Sequence, residues 1–156
     1  MFLLCKGKRM KAVIQRVKKT SLSVDNKLVS EIEKGLAIYL GIMTGDTFSD
    51  ADYIAKKVSG IRIFEDLQGK MNLSVKDICG EILLISQFTL YGNCEKGNRP
   101  SFIEAERSEK AQPLYEYTAE KLRGYGICVK QGVFGADMKI QQYNDGPVTI
   151  IMESRK

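Results

Sequence analysis

The 156-residue sequence contains no histidine. This absence excludes Ser-His-Asp and Cys-His nucleophile systems as well as histidine-bound metal centres. Cysteine is scarce and no two cysteines form a CxxC pair, which is typical of reduced, buried or half-buried thiols. The four cysteines are Cys5, Cys79, Cys94 and Cys128. Catalysis must therefore use backbone groups, hydroxyls, carboxylates, lysine, arginine or the substrate itself, and we expect neither a metal nor another cofactor.

Long apolar segments are also absent. No run approaches the roughly 18 residues that a membrane-crossing helix needs. The first residues, Met1–Lys6, lack the charge-first order and the apolar length of a secretory signal. We therefore expect a cytoplasmic protein without a membrane partner.

Positive charge is concentrated at the start of the chain. Residues 1–20 carry seven lysines and arginines and no acid, whereas the net charge of the whole chain is +5. A basic segment on a near-neutral body fits a phosphate-bearing partner, although Lys6–Arg9 also fits a solvated tail. Because strand patterning begins at Met10, we expect residues 1–9 to be a loosely ordered extension and residues 10–156 to be a single domain.

The apolar patterns predict many strands and two helices that do not alternate as βαβ units. Ser49–Asp52 resembles a capping box with Asp in place of Glu or Gln, and a second helix is predicted from about Ser108 to Arg123. Strands are predicted at Lys11–Val17, Ser21–Val24, Leu28–Ile32, Leu36–Ile42, Ile61–Phe64, Glu81–Phe88, Ile127–Phe134 and Met138–Glu153, the last interrupted near Asn144–Pro147. This order predicts an α+β fold with largely antiparallel sheets.

Ser86–Leu90 closes one of the predicted buried strands. Side chains become accessible at such a strand end while the sheet still holds the backbone. Ser86, Gln87 and Thr89 supply hydrogen-bond donors and acceptors, and Phe88 offers a ring on which a base can stack. Composition alone also allows an ordinary polar turn.

Asn144–Pro147 has the composition of a tight turn, since Asn, Asp and Gly accept positive φ and Pro fixes its own φ. A Gly-Pro bond is also a place where a cis peptide occurs, and Gly146 has no side chain to cover the neighbouring carbonyl groups. The segment is therefore either a plain hairpin turn or a rigid, exposed stretch of backbone.

Two further segments offer binding groups. Lys96–Phe102 is a polar loop that suits phosphate or ribose contacts, or simply faces solvent. Phe134–Met138 is interpreted as a bend between strands, in which Met138 either walls a pocket or fills the core.

Together these segments resemble the D-aminoacyl-tRNA deacylase family. The resemblance covers essentially Met10 to the end of the chain, and its pieces occur in the same order as in the family. They are Met10–Val17, Arg62–Asp66 with Gly69–Ser74, Ser86–Leu90, Lys96–Phe102, Phe134–Met138 and Asn144–Thr149. The resemblance implies a deacylase-like fold with a barrel-like core and two helices. It also implies a hydrolase that cleaves the ester of D-aminoacyl-tRNA, and of glycyl-tRNA mischarged on tRNA-Ala.

The resemblance further implies a homodimer with its active sites at the subunit interface and the 3′ end of aminoacyl-tRNA as partner, with no DNA. Ser86, Gln87, Phe88 and Thr89 are expected to line the pocket for the terminal adenosine and the ester. Gly146 and Pro147 are expected to form a cis bond and to enter the site from the partner subunit. A related animal family that acts on mischarged L-amino acids has a small residue in place of Phe88, which places this chain on the D-specific side.

Supporting roles follow from the same resemblance. Arg16 is expected to hold the Gly-Pro segment in position, and Phe134 and Met138 to contribute to substrate binding and chiral selection. The expected tRNA contacts are Lys96, Asn98 and Arg99.

Without histidine, Thr89 lacks an evident base for a role as nucleophile. We expect the ribose 2′-hydroxyl of the substrate to assist a water, and N–H groups near Phe88 and Thr89 to stabilise the oxyanion. Rigid backbone carbonyls at Gly146–Pro147 would hold the α-amino group and exclude an L side chain, but not glycine.

Two other classes of function remain open from the sequence. One is a non-catalytic tRNA-binding or editing-accessory domain, similar to the fold appended to some archaeal threonyl-tRNA synthetases. The other is a structural or metabolic β-rich dimer without tRNA affinity.

Overall fold

The computed structural model describes residues 9–154, which form eight strands and two α-helices. The expected loose extension at residues 1–9 lies outside the described part of the chain, apart from Arg9. The strands are β1 (Lys11–Val24), β2 (Lys27–Ile32), β3 (Gly35–Gly41), β4 (Phe64–Glu65), β5 (Met71–Leu73), β6 (Glu81–Ser86), β7 (Cys128–Gln131) and β8 (Lys139–Glu153). The helices are α1 (Phe48–Gly60) and α2 (Ser108–Gly124), and a short 3₁₀ helix covers Phe88–Tyr91.

Strand β1 organises the main sheet because both of its edges are paired. One edge pairs antiparallel with β3 along the first half of β1 and with β2 along the second half. The other edge pairs antiparallel with β8 along most of its length. Beyond β3 the sheet continues with β6 and then β7, both in parallel pairing. The predicted α+β fold with mostly antiparallel pairing is confirmed.

Two clusters of apolar side chains fill the two sides of the main sheet. The larger cluster lies between the sheet and the two helices, which also pack on each other. One stripe of each helix, with members three and four residues apart, is buried there: Ala51, Ile54, Ala55 and Val58 of α1, and Ala111, Leu114, Tyr115, Thr118 and Leu122 of α2. On the opposite side Met138, just before β8, and Ile140 of β8 pack against the cluster that contains Ala37, Leu83 and Ile85. The curled sheet gives the barrel-like core that the resemblance implied.

The structure corrects several strand boundaries. Lys11–Val24 is one strand rather than two, because β8 pairs with both Val17 and Lys19 on one edge and so spans the gap between the β3 and β2 ladders on the other edge. Of the predicted strand Ile61–Phe64 only Phe64 is in a strand, because β4 covers Phe64–Glu65 and pairs with the short β5. β6 ends at Ser86 and β7 at Gln131, earlier than predicted, because no further partner residues continue either ladder.

Two local interpretations were also wrong. Helix α1 starts earlier than Ser49: its N-cap is Thr47, and Asp50 is the N3 partner of the capping box. Cys79, Cys94 and Cys128 are free thiols but exposed rather than buried, since each lies in a turn or on an edge strand.

Candidate active site

A cavity of about 600 Å³ lies at the carboxyl ends of the parallel strands β3, β6 and β7. Parallel pairing aligns these ends, with Leu40 beside Ser86 and Leu84 beside Gln131. The chain leaves the sheet here at each strand end, so polar loop residues meet above a rigid base. Open α/β sheets place ligand sites at strand ends for the same reason.

One wall of the cavity comes from the segment that follows β6. Ser86, Gln87 and Phe88 all line it. The Gln87 N–H donates to the Leu40 carbonyl at 2.8 Å, which ties this segment to the end of β3. The Gln87 side-chain amide donates to the Thr89 hydroxyl. Thr89 itself is exposed beside the cavity rather than in its lining.

Phe88 presents an aromatic surface at the mouth of the cavity. Its side chain is 57% exposed, and its ring meets Phe102 edge-on at a centroid distance of 5.3 Å. Both rings border the cavity. An exposed ring held by a second ring can stack a nucleobase without repacking the core.

The opposite wall is formed by the bend after β7. Phe134 and Met138 both line the cavity. The Phe134 ring contacts Tyr115 at a centroid distance of 5.8 Å. The buried Tyr115 hydroxyl donates to the Leu84 carbonyl at 2.6 Å, and burial raises its pKa to about 12. Tyr115 is therefore a protonated donor that holds Phe134 and this wall against the end of β6.

Tyr91 anchors the short 3₁₀ helix below the site. Its hydroxyl lies within hydrogen-bond distance of the Arg9 carbonyl (2.5 Å) and the Gly41 carbonyl (3.1 Å). Burial strongly raises the pKa of Tyr91, so this hydroxyl stays protonated and is a donor rather than a base. Among the described residues, no group of three or more cysteine, aspartate or glutamate side chains is arranged to hold a metal ion.

The predicted tRNA-contact residues Lys96, Asn98 and Arg99 are exposed on a loop next to the cavity. Two main-chain hydrogen bonds of 2.8 Å between Asn93 and Ser101 close this loop at its base. Phe102, one residue further on, belongs to the cavity rim. The loop can therefore contact a ligand that extends out of the cavity.

The Gly146–Pro147 bond is cis, as the resemblance implied. Neither residue lines the cavity of the same chain. The segment is held from the core side by Arg16, which is only 6% exposed. The Arg16 guanidinium donates to the Asp145 carbonyl at 3.0 Å and to the Ile63 carbonyl at 2.8 Å. Arg16 thus has the geometry expected of a residue that positions this segment.

Three residues that connect the basic loop (Lys96–Phe102) to α2 were not predicted from the sequence. Glu106, Arg107 and Ser108 line the cavity at the start of that helix. The Glu106 carboxylate accepts hydrogen bonds from the Arg107 N–H at 2.9 Å and the Gly45 N–H at 3.3 Å. The available signal was the pair of charged residues directly before a predicted helix start.

Comparison with known proteins agrees with this geometry. The family model described as D-Tyr-tRNA(Tyr) deacylase matches residues 13–153. The D-aminoacyl-tRNA deacylase of Fervidobacterium nodosum is 50% identical over 147 residues, which are 94% of this chain and 99% of the relative. That of Thermotoga petrophila is 52% identical over 147 residues, with the same coverage of both chains.

Solved structures show the same fold. One described as "c-Myc DNA Unwinding Element Binding Protein" is 41% identical, has a TM-score of 0.87, and matches over 94% of this chain and 99% of its own. Another, described as a probable eukaryotic D-amino acid tRNA deacylase, has a TM-score of 0.82 over 92% and 98% of the two chains. At 17% identity that second likeness supports the fold alone.

These deacylase relatives are hydrolases, and the α+β fold with a cavity at the ends of its parallel strands is therefore a hydrolase fold in this chain. The chain belongs to the D-Tyr-tRNA(Tyr) deacylase family. Between residues 9 and 154, no helix is long and apolar enough to cross a membrane.

Proposed function

We propose that this chain hydrolyses the ester bond of D-aminoacyl-tRNA, with the terminal adenosine and the aminoacyl group bound in the cavity. The observation that carries the proposal is the meeting of Ser86–Phe88 with Phe134 and Met138 around one cavity. Phe88 offers a stacking surface, and Gln87 offers an amide that already contacts Thr89. The 3′ end of a tRNA supplies the base and the ribose hydroxyl groups that fit such a lining.

The working site needs a second copy of the chain in this proposal. Gly146 and Pro147 are exposed and do not line their own chain's cavity, so they are free to enter the cavity of a partner. The outer edge of β8 supports a homodimer interface near this segment. Ile151 is 69% exposed and Tyr143 is 65% exposed, and long strand edges with exposed apolar side chains are usually covered by a partner.

Chiral selection follows from the backbone of the Gly146–Pro147 segment. Main-chain carbonyl groups are rigid acceptors that can hold the α-amino group of the substrate in one direction. With the ester carbon and the amino group fixed, a D side chain points away from the segment and an L side chain meets it. Glycine has no side chain to exclude, so glycyl-tRNA-Ala is accepted as well.

Hydrolysis proceeds in this proposal without a side-chain nucleophile. Phe88 and Thr89 begin the 3₁₀ helix, so their N–H groups have no acceptor inside that helix. They are donors for the oxyanion, an effect worth roughly 3–4 kcal/mol for a well-placed N–H. The ribose 2′-hydroxyl of the substrate assists the attacking water, since it sits next to the ester by covalent structure.

Contacts outside the cavity come from the basic loop. Lys96, Asn98 and Arg99 contact phosphate or ribose groups upstream of the terminal adenosine. We place the reaction in the cytoplasm, where aminoacyl-tRNA is made and used. Residues 10–156 act in it as one domain.

The direct test is the release of tyrosine from D-tyrosyl-tRNA and L-tyrosyl-tRNA, with glycyl-tRNA-Ala as a third substrate. We expect fast release from the D-ester and the glycyl ester and at least about a hundredfold slower release from the L-ester. Binding of D-tyrosyl-tRNA without release would instead favour a non-catalytic editing-accessory domain.

A salt-dependent gel shift with uncharged tRNA tests the remaining class, a dimer without tRNA affinity. Because one solved relative is described as a DNA-binding protein, duplex DNA of matched length is the competitor. We expect tRNA to be bound in preference to DNA. Absence of any tRNA shift at low salt would contradict the proposal.

A further inference from the structure

The Gly146–Pro147 segment lies in a bulge of β8 with a fixed partner on β1. Gln15 pairs with Thr149 and Val17 pairs with Asn144. Between these two pairs β1 has only Arg16, whereas β8 has the four residues 145–148. The extra residues leave the ladder, so the ladder's own hydrogen bonds do not determine their position. Other contacts must hold the bulge in place.

A chain of side-chain hydrogen bonds joins the two flanks of this bulge. The Gln142 amide donates to the Gln15 side-chain oxygen at 2.6 Å and to the Asn144 side-chain oxygen at 2.5 Å. Gln15 in turn donates to the Thr149 hydroxyl at 3.3 Å. Asn144 and Thr149 are the last paired residues on either side of the bulge, so Gln142 and Gln15 connect both of its ends.

The Gln142 side-chain oxygen has a third partner on β3. The Tyr39 hydroxyl donates to the Gln142 side-chain oxygen at 2.9 Å. With its oxygen accepting from Tyr39, the Gln142 nitrogen must face Gln15 and Asn144, and both of its hydrogens find acceptors. In this set of hydrogen bonds, the side-chain amides of Gln142 and Gln15 donate through nitrogen and accept through oxygen without conflict. Burial raises the pKa of Tyr39, which keeps its hydroxyl protonated.

The same hydrogen bonds connect the bulge, through Tyr39, to the strands that lead to the cavity wall of the same subunit. Tyr39 lies on β3 and pairs with Ile85 of β6, one residue before Ser86. Arg16 holds the bulge through the Asp145 carbonyl, while the Gln142 contacts hold its flanks. Two independent sets of contacts thus locate the Gly146–Pro147 backbone relative to the main sheet.

We propose that Gln142, oriented by Tyr39 and linked to Gln15, is a positioning residue for chiral selection. This inference rests on the proposed function, because the bulge matters only if Gly146–Pro147 excludes L-aminoacyl esters. Gln142 touches neither substrate nor cavity and acts through the location of the bulge. If the bulge is less firmly held, an L side chain can displace it. The rate of hydrolysis of the L-ester should then rise, while the rate on the D-ester changes less.

The test compares Gln142→Met with Gln141→Met in the full chain. Methionine keeps the length of glutamine and removes its amide, and Gln141 is the exposed neighbour that takes no part in these contacts. For Gln142→Met we expect the rate on L-tyrosyl-tRNA relative to D-tyrosyl-tRNA to rise about tenfold, at little changed Tm. Gln141→Met should keep the wild-type ratio.

Hydrogen–deuterium exchange gives a readout that does not need activity. A peptide covering residues 144–149 should exchange at least about threefold faster in Gln142→Met, while peptides from α1 and β6 should not change. If wild type releases no D-tyrosine, the proposed function fails, and exchange alone decides the positioning role. Wild-type ratio and wild-type exchange in Gln142→Met would overturn the inference.

Tyr39→Phe is the second variant, in case Gln142→Met does not fold. It removes only the hydroxyl that orients the Gln142 amide. We expect a rise of about threefold in the relative rate on the L-ester and faster exchange across residues 144–149. An unchanged ratio and unchanged exchange in a folded Tyr39→Phe protein would also overturn the inference.

Discussion

Residue 146 shows how the backbone restricts the choice of amino acid at the proposed selector. Gly146 has φ of +138°, a conformation that L residues rarely adopt. A Cβ added to it would lie 2.6 Å from the Val148 backbone nitrogen and 2.9 Å from a Val148 methyl group. Any side chain at this position therefore displaces the segment that Arg16 and Gln142 locate.

Gly146→Ala should consequently impair the reaction more than the fold. We expect release from D-tyrosyl-tRNA to fall tenfold to about a hundredfold, matching a strain of roughly 1–3 kcal/mol. Single-turnover deacylation measures this fall. Gly69→Ala is the control, because Gly69 also has positive φ but has open space around its Cβ position. Equal losses in the two variants would mean that general backbone strain, not the selector, is responsible.

The role of the Thr89 hydroxyl distinguishes two mechanisms, one in which Thr89 is the nucleophile and one in which it only positions the substrate. Its hydroxyl accepts a hydrogen bond from the Gln87 amide, which gives no route for losing its proton. If Thr89 only positions the substrate, Thr89→Ala should keep substantial activity, within about a hundredfold of wild type.

Deacylation kinetics of Thr89→Ala and Thr89→Ser test this expectation, with tRNA binding followed in parallel. Thr89→Ser keeps the hydroxyl and is the control for its chemistry. A loss beyond about a thousandfold in Thr89→Ala, with folding and tRNA binding intact and Thr89→Ser active, would make Thr89 the nucleophile.

At the scale of elements, the start of α1 joins both ends of the described chain. The Asp50 carboxylate accepts hydrogen bonds from the Thr47 N–H at 2.8 Å, the Ser154 hydroxyl at 2.7 Å and Arg9 at 3.3 Å. Desolvation by burial opposes ionisation, but these bonds outweigh it and hold the pKa of Asp50 below its usual value. The ionised carboxylate is therefore the form that stabilises this junction.

Asp50→Asn should cost about 2 kcal/mol of unfolding free energy near neutral pH, since buried donors lose a charged acceptor. The folded-state pKa is lowered, so the wild-type advantage is present above the ordinary value and is lost as pH falls through the folded value. Urea unfolding at about pH 7 and pH 3 should show that the difference in unfolding free energy between wild type and Asp50→Asn becomes smaller in acid. A difference that stays constant with pH would contradict a lowered pKa for Asp50.

The neighbouring Asp46 should behave in the opposite way. Burial is the main reason that its pKa rises to about 6, and the charge of Asp50 adds to the rise. Hydrogen bonds from the Met43 and Met10 N–H groups oppose the shift. A raised carboxyl pKa contributes stability that is complete below the ordinary value near 4 and is lost as pH rises through about 6.

Asp46→Asn removes this titration. The unfolding free energy of the variant minus that of wild type should rise by an amount on the order of 1–2 kcal/mol as the pH increases from about 4 to about 7. Urea unfolding across this range measures the change, and Asp50→Asn is the control with the opposite trend in acid. Parallel stability curves for Asp46→Asn and wild type would show that Asp46 titrates near its ordinary pKa.

At the scale of the whole molecule, the two parts of the proposed site lie on two different surfaces of one chain. The cavity takes its walls from β6, the bend after β7 and the start of α2, and Gly146–Pro147 is not among them. A homodimer of the proposed kind forms each site from the cavity of one copy and the bulge of the other. Subunit mixing tests this arrangement directly.

Phe88→Ala damages the cavity and Gly146→Ala damages the bulge. Each homodimer should be impaired, whereas a mixed dimer contains one site with an intact cavity and an intact bulge. After the two variants exchange subunits, about a quarter of wild-type activity should return, since about half of the dimers are mixed and each has one intact site. Light scattering confirms the dimer, and absence of recovery despite exchange would place both parts in one subunit's site.

The helices and turns of this fold could be predicted where they depend on residues close together in sequence. The α1 and α2 stripes and the turn between β1 and β2 follow from apolar spacing and from residues that tolerate positive φ, such as Asp25 and Asn26. Boundaries were less predictable. β6 stops at Ser86 because its ladder partners stop there, and pairing partners are not visible in a local window of sequence.

The available chemistry can be read from the amino-acid sequence alone: a chain without histidine, with hydroxyl, amide and aromatic groups after a buried strand and a Gly-Pro pair near its end. The positions of these groups in space are a property of the folded sheet. It set the four residues 145–148 opposite Arg16, and it placed the Gly-Pro segment away from its own cavity. The physical reason is distance along the chain. Arg16 and Asp145 are 129 residues apart, and their contact depends on a strand register set by the whole sheet.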